Sequence, residues 1–96
     1  MLLLCPVCGT VLADGTYRRL PPNLTLRDAD GNVLQPTAPS VLLRQLGSDA
    51  AKSKYVAQNL GELVYDLTCA AGHQVLRTMP EIVARIRSAK GPSATV

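Results

Sequence analysis

The stretch Leu63-Val64-Tyr65-Asp66-Leu67-Thr68-Cys69-Ala70-Ala71-Gly72-His73-Gln74-Val75-Leu76-Arg77 reads as a strand, a tight turn and a returning strand. Leu63, Tyr65, Leu67 and Cys69 alternate with Val64, Asp66 and Thr68, the period-two pattern of a strand with one face more buried than the other. Gly72 supplies the backbone freedom that a tight turn needs just before His73, and Gln74 to Arg77 run back as the partner. The turn therefore carries Cys69 and His73 at Cys-x-x-x-His spacing. Near the other end, Cys5-Pro6-Val7-Cys8-Gly9 forms a second turn between the apolar start of the chain and Thr10-Val11-Leu12. All three cysteines and the one histidine fall in these two turns.

That sorting points to a metal. Zinc takes four thiolate or imidazole ligands at tetrahedral angles, about 2.0 to 2.3 Å from the ion. Cys5 and Cys8 supply two ligands from one turn, and Cys69 and His73 supply two from the other. An odd number of cysteines fits a disulfide framework badly, whereas metal ligation has no parity rule. A redox Cys-x-x-Cys would place a cysteine at a helix N-terminus, where the dipole lowers the thiol pKa, and Val7-Cys8-Gly9-Thr10-Val11 lacks helical character. The remaining alternative is two buried free thiols and a surface histidine. Three thiolates and an imidazole would leave no open coordination position for catalysis. Glu62 and Asp66, beside the second turn, read as exposed strand residues, so no enzyme is expected. Asp28-Ala29-Asp30-Gly31-Asn32 departs from a calcium loop, because its glycine comes two positions early and no glutamate closes it.

The pair Cys5-Pro6-Val7-Cys8-Gly9 and Cys69-Ala70-Ala71-Gly72-His73 resembles the zinc ribbon family, whose members carry two zinc knuckles on β-hairpins. The resemblance covers about a third of the chain. It implies one structural zinc held by Cys5, Cys8, Cys69 and His73, and a macromolecular partner, with nucleic acid or the transcription apparatus favoured because ribbon relatives often work there. His73 in place of a fourth cysteine, at one residue wider spacing, departs from the family pattern. So does the helix that follows.

The rest of the chain is organised around these turns. Asp14-Gly15 reads as a turn, followed by a weak strand over 16–20 that Pro21-Pro22 ends. Leu24 to Arg27 and Asn32 to Leu34 flank Asp28-Ala29-Asp30-Gly31 as a hairpin. Ser40 offers an N-cap to a short helix, Val41 to Leu46, stopped by Gly47, and Ser48 to a second one over 49–59. Thr78-Met79-Pro80-Glu81 opens a C-terminal amphipathic helix with a capping-box pattern, with Met79, Ile82, Val83, Ile86 and Ala89 on one stripe. The fold class expected is α+β: zinc-ribbon-like hairpins closed by one zinc, with a helical insert at 13–61 and a C-terminal helix. One domain is expected over 1–91, with a flexible tail at 92–96.

The composition is that of a globular chain, 47% hydrophobic over 96 residues, but without Phe or Trp. A core built from Leu, Val, Ile and Ala in so short a chain gains from a metal staple. Neither a secretory signal nor a stretch of membrane-spanning length is apparent, and persistent thiols suit a reducing cytoplasm. The formal charge is +3. Acids and bases balance through His73, so the excess lies in Arg77, Arg85, Arg87 and Lys90 set against Glu81. Arg18, Arg19, Arg77, Arg85 and Arg87 are the candidate contacts to nucleic acid or another partner; a solvated helix face accounts for the same charges. Only three tyrosines are available for stacking on bases. The other expectation is a protein-interaction adaptor, of phage or bacterial kind, acting through the Leu-rich insert between Val41 and Leu60.

Overall fold

The computed structural model describes residues 1–17 and 24–96, with the backbone alone at Tyr17. In chain order the elements are β1 (Leu2–Leu4), β2 (Val11–Tyr17), β3 (Leu24–Arg27), α1 (Pro39–Leu46), α2 (Ala50–Gln58), β4 (Val64–Thr68), β5 (Gln74–Thr78), α3 (Met79–Ser88) and β6 (Ser93–Thr95). The class is α+β, with a mixed four-stranded sheet in the order β3-β2-β1-β6 and a separate β4–β5 hairpin. No helix among the described residues is long and apolar enough to cross a membrane.

The β4–β5 hairpin is a wall with a core on each side, and its side-chain alternation explains why. Tyr65, Leu67, Cys69 and Val75 lie in the main core with Leu3, Leu12, Leu26, Ile82 and Ile86. Val64 and Leu76, on the opposite face, form a second core with Leu42 of α1 and Val56 of α2. Tyr65, Leu67 and Cys69 are buried as their alternation implies, whereas Leu63 precedes the strand and is 55% exposed. Much of the insert thus covers the back of the second hairpin.

Three local expectations change. Asp14-Gly15 is not a turn: both residues lie inside β2, paired with Arg27 and Leu26 of β3. Gly15 is buried there, and a Cβ on it would stand 3.2 Å from Leu24 Cδ1 and 3.4 Å from Leu26 Cδ2; its small size serves close packing, not chain reversal. The helix caps shift by one or two residues. α1 starts at Pro39 after Ala38, with proline tolerated in the first turn, and α2 is capped by Asp49, whose side chain accepts from Lys52 N–H. The tail expected at 92–96 is instead strand β6, parallel to β1 in the register Leu2↔Ser93 to Leu4↔Thr95. Ala94 and Val96 are buried in the main core, and that burial holds the segment in place.

Other expectations match the structure. β1 and β2 flank the first turn as an antiparallel pair, irregular between Leu3 and Leu4. Asp28 accepts at Oδ1 from the N–H groups of Asp30 and Asn32, and Arg27 bridges Val33 across this turn. Thr78 and Glu81 form the full capping box at the start of α3. The weak strand at 16–20 falls mostly outside the described residues, as do Pro21 and Pro22.

Candidate metal centre

The two cysteine turns are built alike. Gly9 N–H donates to Cys5 O at 2.9 Å, and Gly72 N–H donates to Cys69 O at 2.9 Å. Both glycines take positive φ, 74° and 88°, which side chains of L residues rarely adopt. Cys5 N–H donates to Thr10 O and Cys69 N–H to His73 O, so each knuckle is closed at its base by strand pairing.

Packing of β1 and β2 against β4 and β5 brings the knuckles together. Cys8 Sγ lies 3.6 Å from Cys69 Sγ, across a separation of 61 positions, and Cys69 Sγ lies 3.3 Å from His73 Nδ1. The ligand atoms of Cys5, Cys8, Cys69 and His73 all fall within 4.8 Å of one another. A tetrahedron with zinc–ligand arms of 2.0 to 2.3 Å has edges of about 3.3 to 3.8 Å. The short edges already match, and the longest must contract by about 1 Å. Cys5 and Cys69 are buried, His73 is half-buried and Cys8 is exposed. All three cysteines are free thiols. The group is able to hold one metal ion.

The surroundings favour the ligating forms of Cys8 and Cys69. The Thr10 hydroxyl, 3.1 Å from Cys8 Sγ, holds the Cys8 thiol below its ordinary value, with the Thr10 backbone assisting. Burial pushes the Cys69 thiol up. Hydrogen bonds from the His73 N–H, the Thr10 hydroxyl and Cys8 outweigh it and bring the thiol down to about 6. His73 is raised above the ordinary imidazole range by hydrogen bonds to the Cys8 and Cys69 sulfurs. A metal ion requires neutral imidazole and thiolates, so its binding would displace protons held among Cys8, Cys69 and His73.

Thr10 is the participant that spacing did not reveal. Its only sequence signal is a hydroxyl two positions after Cys8, and outer partners of this kind orient the ligands. Glu62 and Asp66 are exposed, and Asp66 accepts from Gln74 Nε2 at 3.0 Å.

Of the expected partner contacts, Arg77, Arg85 and Arg87 are among the described residues. Arg18 and Arg19 lie outside the described residues. Arg77 is half-buried and donates to main-chain oxygens, Nε to Val96 at 2.6 Å and a terminal nitrogen to Leu76 at 2.7 Å. Arg85 and Arg87 are exposed on α3, where two positions of helix separate them by about 200°.

Comparison with protein-family models, with curated proteins and with solved structures finds no match for this chain.

Proposed function

We propose that the chain is a non-catalytic accessory protein, stapled by one structural zinc ion in a ribbon-like site, that binds a macromolecular partner. The observation that carries the zinc reading is the convergence of four soft or borderline donors, from knuckles at opposite ends of the chain, to within 4.8 Å. Hard cations prefer oxygen ligands, whereas this donor set suits zinc. With Cys5, Cys8, Cys69 and His73 all engaged, a tetrahedral ion has no position for a reacting water. A closed site of this kind stabilises and does not catalyse. Thiols used as ligands suit a reducing compartment such as the cytoplasm.

Of the two partner classes, a protein is better supported than nucleic acid. Nucleic-acid binding draws on cations that converge on phosphates, but Arg77 is engaged with main-chain oxygens and Arg85 and Arg87 diverge on α3. Within the Leu-rich insert Leu42 is fully buried and Leu43 and Leu46 pack against the second core, which leaves Leu60 as its exposed leucine. A single outward leucine makes a small docking face, so the contact surface is sought elsewhere on the fold. Fluorescence anisotropy with a labelled single-stranded oligonucleotide tests the choice. Weak binding that does not change when Arg85 and Arg87 are both made glutamine is expected. Tight, salt-sensitive binding lost in that double variant would restore the nucleic-acid reading.

A further inference from the structure

The β4–β5 hairpin has an open edge. On the β4 side, Val64 exchanges both main-chain hydrogen bonds with Thr37, Thr37 N–H to Val64 O at 2.7 Å and Val64 N–H to Thr37 O at 3.2 Å. The Val64 groups therefore point away from β5, and the Val64↔Thr78 pair is not hydrogen-bonded across the hairpin. Antiparallel pairs alternate between bonded and non-bonded, and the register continues through Asp66↔Leu76 and Thr68↔Gln74. The N–H and C=O groups of Gln74, Leu76 and Thr78 must then point outward from β5. Thr78 fits, since its N–H donates to the Tyr55 hydroxyl at 3.1 Å. The Leu76 carbonyl also points outward and is taken by Arg77. That leaves Gln74 N–H, Gln74 C=O and Leu76 N–H, for which no partner is found among the described residues.

Gln74 and Leu76 also line a groove of about 330 Å³, together with Val75 and Arg77 of β5, Lys52 and Tyr55 of α2, and Pro6 and Val7 of the first knuckle. From Gln74 to Arg77 the edge runs about 10 Å, the length of three extended residues. Val7 at its rim is 68% exposed. Lys52 and Arg77 are the charged residues lining it, and no acid does so among the described residues. Lys52 is held in place by Gln74 Oε1 at 2.9 Å and lies 3.6 Å from Asp49.

We infer that the open edge of β5 is a docking site for an extended acidic peptide segment of a protein partner, which adds as a third strand to the hairpin. Main-chain bonds to Gln74 and Leu76 would supply affinity, as in other strand additions, and a carboxylate of the peptide would meet Lys52. The inference rests on the metal reading in one respect: Pro6 and Val7 form a wall because Cys5 and Cys8 are pinned on either side of them.

The test is a titration of the zinc-loaded full chain, labelled with ¹⁵N, with a pool of end-blocked octapeptides alternating Glu or Asp with Val or Ile. Metal content is read by native mass spectrometry on the same sample. Saturating shifts of the Gln74 and Leu76 amides at millimolar peptide or below are expected, with slowed exchange of both. Binding should weaken at least tenfold in Lys52→Glu, at a half-buried position, and in Val7→Glu, at an exposed one. It should also weaken at least tenfold when alternate peptide nitrogens are methylated, which blocks strand pairing and leaves charge intact. Absence of shifts at Gln74 and Leu76 overturns the inference, as do equal binding of the methylated pool and displacement by an oligothymidine strand. A chain that carries zinc yet shows no shifts sinks the groove alone; a chain that carries no metal sinks the zinc reading.

Discussion

The two faces of the β4–β5 hairpin are held by different means. On one face Tyr65, Leu67, Cys69 and Val75 join the main core, and its edge carries the Cys69–His73 knuckle that meets Cys5 and Cys8. On the other, Val64 and Leu76 meet Leu42 and Val56 in a small apolar cluster with no metal-ligating residue in it. A polar knot adds to the second side: Tyr55 of α2 donates its hydroxyl to Glu81 Oε1, while the Thr78 N–H donates to both Tyr55 and Glu81. The lesson is that one side of a small wall joins its apolar core to four groups able to hold a metal ion, whereas the other relies on fit. The two should fail differently.

The largest effect is expected from Cys69→Ser. Structural zinc contributes on the order of 10 kcal/mol or more in small metal-dependent folds, comparable to the entire stability of a domain at about 5 to 15 kcal/mol. Far-UV circular dichroism should show loss of most structure, with stoichiometric metal binding abolished. Leu42→Ala comes next. Its side chain is fully buried, and deletions of this kind cost about 2 to 5 kcal/mol. Urea denaturation should show that loss while the folded variant still carries one zinc. If Leu42→Ala lost its metal as readily as Cys69→Ser, the two sides would be one unit.

Tyr55→Phe sharpens the contrast further. Loss of a hydrogen bond to a carboxylate and of one acceptor should cost about 1 to 2 kcal/mol at neutral pH, and the pH profile identifies the cause. Burial and the bond to Glu81 push the Tyr55 phenol up to about 12. A raised folded value gives a contribution that is complete below the ordinary tyrosine pKa of about 10 and disappears as pH rises toward 12. Burial opposes ionisation of Glu81, but hydrogen bonds from Tyr55 and Thr78 keep its carboxyl below the ordinary value. That contribution is present above the usual carboxylate range and is lost as pH falls through the lower folded value. The stability difference between Tyr55→Phe and the parent, from urea midpoints across pH, should be flat in between and shrink at both ends. A difference constant up to pH 12 would assign the effect to packing alone. The smallest effect is expected from Val96→Ala, about 1 kcal/mol or slightly more for the buried methyl groups lost, read as a small drop in melting temperature that leaves metal content unchanged.

What was legible in the chain was what short-range spacing encodes. Cys-x-x-Cys and Cys-x-x-x-His each confine their ligands to one turn, so the four-ligand set could be read without knowing the path between them. The capping box of Thr78 and Glu81 and the stripe from Met79 to Ile86 are equally local. Longer-range choices were not legible. Three residues of β6 show no periodicity, and their partner β1 lies at the far end of the chain, so Ser93 to Val96 look like a tail until Ala94 and Val96 find the core. Asp-Gly is a common turn pair, yet Gly15 is small because Leu24 and Leu26 press on it. Val64 alternates out of phase with Tyr65 and Leu67, which suggests an exposed face until the insert is seen to cover it. Tyr55 gave no sign of reaching Glu81, because that bond depends on how α2 is set against α3.

Native mass spectrometry of the purified chain, before and after chelation and paired with circular dichroism, tests the central claim most directly. One zinc ion per chain is expected, with its removal accompanied by loss of folded structure and both restored when zinc is returned. A metal-free chain with an unchanged spectrum would contradict the account.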